Sequence, residues 1–140
     1  MALKFFIIDD DSDDRELFAE ALREIDPAIV CYFAADGQEA FEELSTEVLS
    51  RPDIIFLDIN LPEMNGWDCL RRLKSTNEYS SIPVCMYSTS SNIMDKNLAI
   101  EMGAVCLVTK PDHYSRLKSI LSIVISHLKN NQLELLKESL

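Results

Sequence analysis

The stretch FFIIDDDSDD, residues 5–14, passes from four apolar residues straight into five aspartates within six positions. A strand made of Phe5, Phe6, Ile7 and Ile8 presents apolar side chains to both faces. Strands of that kind belong in a parallel sheet covered by helices on both sides. Neighbouring carboxylates at the mouth of such a strand repel and raise one another's pKa unless a cation or hydrogen-bond donors hold them. The cluster is therefore either merely solvated or part of a site that offsets the repulsion.

Outward from this stretch, apolar runs of strand character alternate with segments of helical period. Residues 3–8, 29–34, 54–57, 84–87 and 105–108 read as strands. Leu17, Phe18, Ala21, Leu22 and Ile25 mark a first helix, with Ser12 as its expected cap. Asp36 and Glu39 make a capping-box pattern ahead of a second helix, which places Ala40, Phe41, Leu44 and Val48 on one face. A third helix follows Asn65-Gly66 and turns Trp67, Leu70 and Leu73 inward. A fourth spans residues 92–102 until Gly103 stops it, and a fifth starts near Asp112 with Leu117, Ile120, Leu121, Val124 and Leu128 inside. Five strand–helix units with nearly continuous apolar strands predict a doubly wound α/β fold around a five-stranded parallel sheet.

A chain of 140 residues suits a single domain, expected over residues 1–128. No internal repeat or low-complexity linker divides it. Residues 129–140 either extend the last helix or fray, with Leu133, Leu136 and Leu140 at helical spacing, and a partner-binding or dimerising role is open to them. With 13 basic against 24 acidic residues the formal charge is −11, which repels a phosphate backbone and argues against nucleic acid as a partner. Cys31, Cys69, Cys85 and Cys106 form no CxxC pair and sit in or beside apolar runs, the pattern of reduced core thiols. No signal-peptide pattern and no long apolar segment is present, so the expectation is a soluble, cytoplasmic protein without a membrane partner.

In open parallel sheets, ligands bind beyond the carboxyl ends of the strands, where strand order reverses. The first strand here runs into Asp9, Asp10 and Asp11, the third ends at Asp58, and the fifth ends at Lys110. In a sheet of order 2-1-3-4-5 these tips converge, with YSTSS, residues 87–91, beside them. One such aspartate alone reads as a solvated end cap; four matching strand ends do not.

Asp58 offers a carboxylate able to attack a phosphoryl group and form an acyl phosphate. Repulsion between the two anions is the obstacle, and a hard divalent cation such as Mg²⁺, held by carboxylates, water and phosphate oxygens, removes it. Asp9 and Asp10 supply or position those carboxylates, and the Asn60 carbonyl offers a further ligand. Lys110 provides an ammonium and Ser88 a hydroxyl for phosphoryl oxygens. Phosphoryl transfer asks mainly for in-line positioning and charge neutralisation, so this inventory suffices.

FFIIDDDSDD, IIFLDINLPEMNGWD, IPVCMYSTS and GAVCLVTKP, in this order and spacing, resemble the receiver domain of two-component response regulators. The resemblance spans residues 3–128 and implies a flavodoxin-like sheet with five helices. It implies that Asp58 is the phosphoacceptor for a sensor histidine kinase or phosphotransfer protein. Asp10 would be the principal acidic Mg²⁺ ligand, supported by Asp9 and the Asn60 carbonyl. Ser88 would stand at the family's Thr/Ser position and Lys110 would be the phosphate-sensing lysine, followed by a cis peptide to Pro111. Output would be protein contact through helix four, strand five and helix five, from a single-domain regulator able to form a homodimer. Asp11, Asp13 and Asp14 match no required ligand, the last two suiting the first turn of a helix. Leu107 departs from the aromatic residue often found three positions before the lysine. It leaves open whether the usual aromatic switch operates or the leucine only fills space beside the fifth helix.

Other readings stand beside this one. Haloacid-dehalogenase-type phosphatases also use an aspartyl nucleophile, Mg²⁺ and a lysine, but place a second Asp two residues after the first; Asn60 there cannot act as general acid. A flavin-type or pseudo-receiver binding module is opposed by Asp10, Asp58, Ser88 and Lys110 together and by the lack of a Gly-rich loop after strand one. A phosphate sink would keep the chemistry without the output. On these grounds the chain is expected to label and slowly hydrolyse its own aspartyl phosphate, not to turn over a substrate. His113 and His127 lack a paired acid in sequence, Met64 and Trp67 read as packing residues, and the Ser90 and Asn60 side chains are candidates to flank an attacking water.

Overall fold

The computed structural model describes residues 2–47, 49, 51–90 and 92–140. Val48, expected on the second helix, and Ser91, the last residue of YSTSS, lie outside them. Five strands, β1 (Lys4–Ile8), β2 (Val30–Ala34), β3 (Ile54–Asp58), β4 (Val84–Ser88) and β5 (Cys106–Thr109), form one parallel sheet in the order β2-β1-β3-β4-β5. Helices α1 (Ser12–Ile25), α2 (Gly37–Leu44), α3 (Gly66–Ser75), α4 (Ile93–Glu101) and α5 (Tyr114–Lys129) follow the strands in turn, as the alternating periods predict.

Strand side chains alternate between faces, so one sheet feeds two cores. Phe5, Ile7, Phe56 and Tyr87 pack with Phe18 and Leu22 of α1 and with Leu117, Leu121 and Val124 of α5. Phe6, Ile8, Leu57 and Met86 pack with Ala40 and Leu44 of α2, Leu70 and Leu73 of α3 and Ala99 of α4. In the first core the Phe18 ring meets Phe56 edge-on at 4.9 Å and Tyr87 at 5.8 Å, which seats α1 against the middle of β3 and the neighbouring part of β4.

Caps set where the helices point. Asp11, with extended φ and ψ of −86° and 110°, accepts from the amides of Asp13 and Asp14. It therefore caps α1 in place of Ser12, which is already helical. Asp36 caps α2 as its spacing to Glu39 suggests, accepting from Glu39 N, and Asn65 caps α3, accepting from Asp68 N. Gly103, at φ +96°, ends α4: its own amide reaches Ile100 O and that of Ala104 reaches Ala99 O, the paired bonds of a Schellman stop.

The same device operates after α5 with an asparagine. Asn131 takes φ 55°, its amide donates to Leu128 O, and Gln132 N donates to His127 O at 2.9 Å. Beyond Lys129 the chain thus neither prolongs α5 nor frays. It reverses into a 3₁₀ turn (Leu133–Leu135) and a sixth short helix, α6 (Leu136–Ser139), which packs on α5 and β5 with Leu136 fully buried. Among the described residues no helix is long and apolar enough to cross a membrane.

Candidate functional site

The carboxyl ends of β1, β3, β4 and β5 meet at one edge of the sheet. β1 runs one residue past its end, where Asp9 N donates to Ala34 O at 3.0 Å. This draws the Asp9 side chain, 0% exposed, into the sheet edge. Its Oδ1 accepts from Asp11 N at 3.0 Å, and its carbonyl accepts from Arg15 Nη1 at 2.8 Å. Asp58 closes β3 at 5% exposure, its Oδ1 accepting from Asn60 N at 3.0 Å. The loop after it is pulled back against the strand by the bond from Gly66 N to Ile59 O, 2.8 Å. A Cβ at position 66 would lie 2.2 Å from the Asp58 carbonyl oxygen, so only glycine permits this approach.

Lys110 binds the tips together. Its backbone amide donates to Ser88 O at 2.7 Å. Its Nζ donates to Asp9 Oδ2 at 2.8 Å, Asp14 Oδ2 at 2.9 Å and Asp58 Oδ2 at 3.0 Å, which uses all three ammonium donors. Nζ also stands 5.4 Å from the centre of the Tyr87 ring, within cation–π range. Burial works against the ammonium's charge, but the three carboxylate hydrogen bonds outweigh it and push its pKa well up. Asp9 moves upward too: burial favours its neutral form more than Lys110 and Asp11 N–H favour its charge, and the neighbouring Asp58 carboxylate adds to the rise.

Carboxylate oxygens of Asp9, Asp10 and Asp58 lie within 4.8 Å of one another, with Asp10 open to solvent. Three carboxylates, Asp9, Asp14 and Asp58, hold one ammonium, while Asp9, Asp10 and Asp58 form a hard, all-oxygen donor set with an open side that fits a divalent cation of oxygen preference. Ser88, 1% exposed, sits at the end of β4 paired in register with Thr109, and its Oγ accepts from Ser90 N at 3.2 Å. The Ser90 hydroxyl is engaged with Asp95 Oδ2 of α4 at 3.1 Å, and Asn60 is exposed beside Asp58.

Several sequence expectations change. Asp14 is more than a first-turn acid, because its position three residues after the cap lets its side chain lean back over the strand tips to Lys110. Tyr87 and Gly66, strand and turn residues by sequence, also belong to the site: the Tyr87 ring faces Lys110 Nζ and Gly66 lets the loop close on Asp58. Among the described residues there is no cis peptide bond, so Lys110–Pro111 is trans, the isomer a proline amide still favours by about 0.5–1 kcal/mol. Leu107 faces α5 only across the cavity it shares with Arg116 and Ile120. Strand alternation sends it to the opposite core, with Met86 and Ala99 of α4. The cysteines are free, with Cys31 half-buried and the other three buried; burial raises the Cys69 thiol to about 11 and Cys31 to about 12. His127 is held by Ile123 O and Ser139 Oγ, away from the carboxylates.

A buried strand-end carboxylate, two more acids and a lysine converging at the edge of a 2-1-3-4-5 sheet define a class of α/β domains built around an aspartyl centre. The chain belongs to the response regulator receiver domain family, whose pattern matches residues 5–122. It is 28% identical over 123 residues to the chemotaxis protein CheY1 of Helicobacter pylori strain J99, covering 88% of this chain and 97% of that one. It is 30% identical over 139 residues to a protein-glutamate methylesterase/protein-glutamine glutaminase of Pyrococcus horikoshii, covering 98% of this chain but 34% of that protein. Likewise it spans 52% of the probable transcriptional regulator ycf27 of Porphyridium aerugineum, at 28% identity. Among solved structures, the phosphorylated cyanobacterial phytochrome response regulator RcpA superposes with a TM-score of 0.82 at 30% identity, covering 94% of this chain and 96% of that one. The Mn²⁺-bound form of response regulator Rcp1 gives 0.74 at 26% identity, over 86% and 92%.

Proposed function

We propose that this protein is a cytoplasmic phosphorelay regulator that accepts a phosphoryl group on Asp58 from the phosphohistidine of a sensor histidine kinase or phosphotransfer protein. Residues 1–128 are the receiver unit and 129–140 an appended segment. The observation that carries the reading is the Asp58 carboxylate at a strand end, 5% exposed, 3.0 Å from Lys110 Nζ and grouped with Asp9 and Asp10. In the transfer, an Asp58 oxygen forms a bond to phosphorus as the phosphorus–nitrogen bond of the donor breaks, and the electron pair leaves with the imidazole.

Mg²⁺ is the cation proposed for Asp9, Asp10, Asp58 and the Asn60 carbonyl, and it supplies neutralisation of charge on the phosphoryl oxygens. The Mn²⁺-bound form of Rcp1 supports a divalent ion in this fold. Lys110, already charged and close to Asp58, holds one phosphoryl oxygen, and Ser88 Oγ donates to another. Asn60 and Ser90 flank the approach of water and so set how fast the acyl phosphate hydrolyses.

Output is proposed to be protein contact through α4, β5 and α5, by binding a target or a second copy of this chain. Ile93 and Met94 at the start of α4 are 66% and 74% exposed, an apolar surface suited to a partner. The net charge of −11 speaks against nucleic acid as that partner.

The test is incubation with Mg²⁺ and acetyl phosphate followed by intact mass measurement. One acid-stable, base-labile phosphoryl adduct is expected on the wild type and none on Asp58→Asn. No adduct on the wild type, or equal labelling of both proteins, overturns the reading.

A further inference from the structure

The segment after α5 lies back along the α4–β5–α5 face. Leu136 is buried at 0% exposure in the cluster that contains Cys106, Ile120 and Val124. Leu140 lines a cavity of about 330 Å³ with Lys96 of α4, Leu107 and Lys110 at β5, and Arg116 of α5. With Lys137 and Glu138 it also borders a neighbouring space of about 310 Å³ shared with Ile100, Cys106 and Leu107. Ser139 Oγ meets His127 Nε2 of α5 at 3.2 Å.

This docking is thinly held. A four-residue helix gains almost nothing from local propensity, since nucleation is unfavourable and few bonds follow it. Neither the 3₁₀ turn nor α6 has a side-chain cap, and every residue from Glu134 to Leu140 except Leu136 is exposed. Segments with few buried contacts open locally at a small fraction of the cost of global unfolding.

β5 connects this cover to the acidic site. Cys106 and Leu107 lie beneath the segment, and three residues further on Lys110 reaches Asp58. Thr109 Oγ1 donates to Ser90 O at 3.2 Å, tying the end of β5 to the loop that opens α4. A phosphoryl group on Asp58 competes for the Lys110 ammonium, and Lys110 directly follows the β5 residues Leu107, Val108 and Thr109 that line the cavity under Leu140.

We infer that residues 133–140 are a displaceable cover over the α4–β5–α5 face, released when Asp58 is phosphorylated and occupying until then the surface on which a protein partner docks. This rests on the proposed role of Asp58. Coupling is reciprocal, so removing the segment favours the phosphorylated state by the same factor by which phosphorylation loosens the segment.

Cys106, 4% exposed beneath the segment, is the reporter, read by iodoacetamide labelling and peptide mass spectrometry, with buried Cys69 and Cys85 as internal controls. Truncation after Gln132 should speed Cys106 labelling at least about fivefold, the lower end of ordinary coupling, without changing the two controls. Phosphorylation of the full chain with acetyl phosphate and Mg²⁺ should do the same, and Asp58→Asn should abolish that response. If truncation also exposes Cys69 and Cys85, the core has loosened, and Leu140→Ser, which leaves Leu136 in place, decides by the same labelling. Unchanged Cys106 labelling in the shortened or Leu140→Ser protein overturns the cover. Faster labelling there, but none on verified phosphorylation, overturns the coupling. Absence of any phosphoryl adduct overturns the Asp58 reading and the coupling with it, while the truncation still decides whether the segment covers the face.

Discussion

Lys110 Nζ lies 3.0 Å from Asp58 Oδ2, joining two strand ends 52 positions apart, and the same ammonium holds Asp9 at 2.8 Å. Asp9 is fully buried and the lysine side chain 13% exposed, so the pair sits in a medium that magnifies both attraction and loss. Lys110→Ala leaves the Asp9 carboxylate buried without its cation. Such a change costs about 3 kcal/mol or more, the lower end for breaking a buried pair from one side. Chemical denaturation without Mg²⁺ should show that loss, and added Mg²⁺ should restore part of it. Phosphorylation of Asp58 should persist at a reduced level, because the lysine is not the nucleophile. Full wild-type stability in this variant would contradict the central role given to the ammonium.

Asp14 touches the same ammonium at 2.9 Å but from a side 36% exposed. Solvent screens that contact, and Asp14→Asn should cost under about 1 kcal/mol, as exposed ion pairs do. The expected signature is selective: near-normal denaturation midpoint, normal phosphorylation, and a changed rate of phosphate loss, since Lys110 then leans more fully toward Asp58. Equal losses of stability for Asp14→Asn and Lys110→Ala would show that the three carboxylates are not ranked by burial.

How much of this was legible without coordinates depends on the range of the signal. Strand alternation and helical period are local, and they gave the five strand–helix units and the sheet edge where Asp9, Asp58 and Lys110 meet. Gly103 announced the end of α4 because glycine adopts positive φ without penalty. Asn131 makes the same stop at φ 55°, but asparagine is ambiguous in sequence, and so no local pattern announces the reversal of the final segment. Among the adjacent Asp11, Ser12 and Asp13, side-chain chemistry alone cannot choose the cap; the backbone of Asp11 decides it. The contact from Asp14 to Lys110 spans 96 positions and depends on how far α1 tilts over the sheet, which no local pattern encodes. Leu107 could have been assigned: Cys106 and Val108 face the α1–α5 core, and period 2 sends the residue between them to the other side.

Gly66 offers a sharper test of how the Asp58 loop is built. A methyl group there would lie 2.2 Å from the Asp58 carbonyl oxygen and 2.6 Å from the Ile59 Cα, and backbone cannot yield as a side-chain tip can. Gly66→Ala should therefore cost about 1–3 kcal/mol by overpacking and lower the yield of phosphorylated protein by shifting Asp58. Gly103→Ala is the control. Its nearest neighbours, Lys74 side-chain atoms, start at 3.5 Å, so its cost comes from φ +96° and falls far from the site. The control should lose stability but keep its phosphorylation yield; a parallel loss of yield would show that the effect at Gly66 is not specific to the Asp58 loop.

The raised pKa of Asp9 gives the site an acid dependence of unusual sign. Burial comes first among its causes and favours the neutral carboxyl, so folding binds this proton more tightly than the unfolded chain does. Its contribution to stability is complete below the ordinary aspartate value of 3.8 and is lost as pH rises through the higher folded value. Without a divalent ion, lowering pH from 7 toward 4 should therefore shift the difference in Tm between wild type and Asp9→Asn in favour of the wild type. Mg²⁺ should act in the opposite direction, because a ligand carboxylate must be deprotonated to bind it. At a concentration about 100 times its Kd, Mg²⁺ stabilises by about 2.7 kcal/mol, a rise in Tm of several degrees for a chain of this size. That rise should shrink as pH falls toward the Asp9 range, and Asp58→Asn should reduce it at every pH. Thermal unfolding with and without Mg²⁺ across this window checks both signs, and an Mg²⁺ shift that grew toward acid pH would remove Asp9 from the cation site.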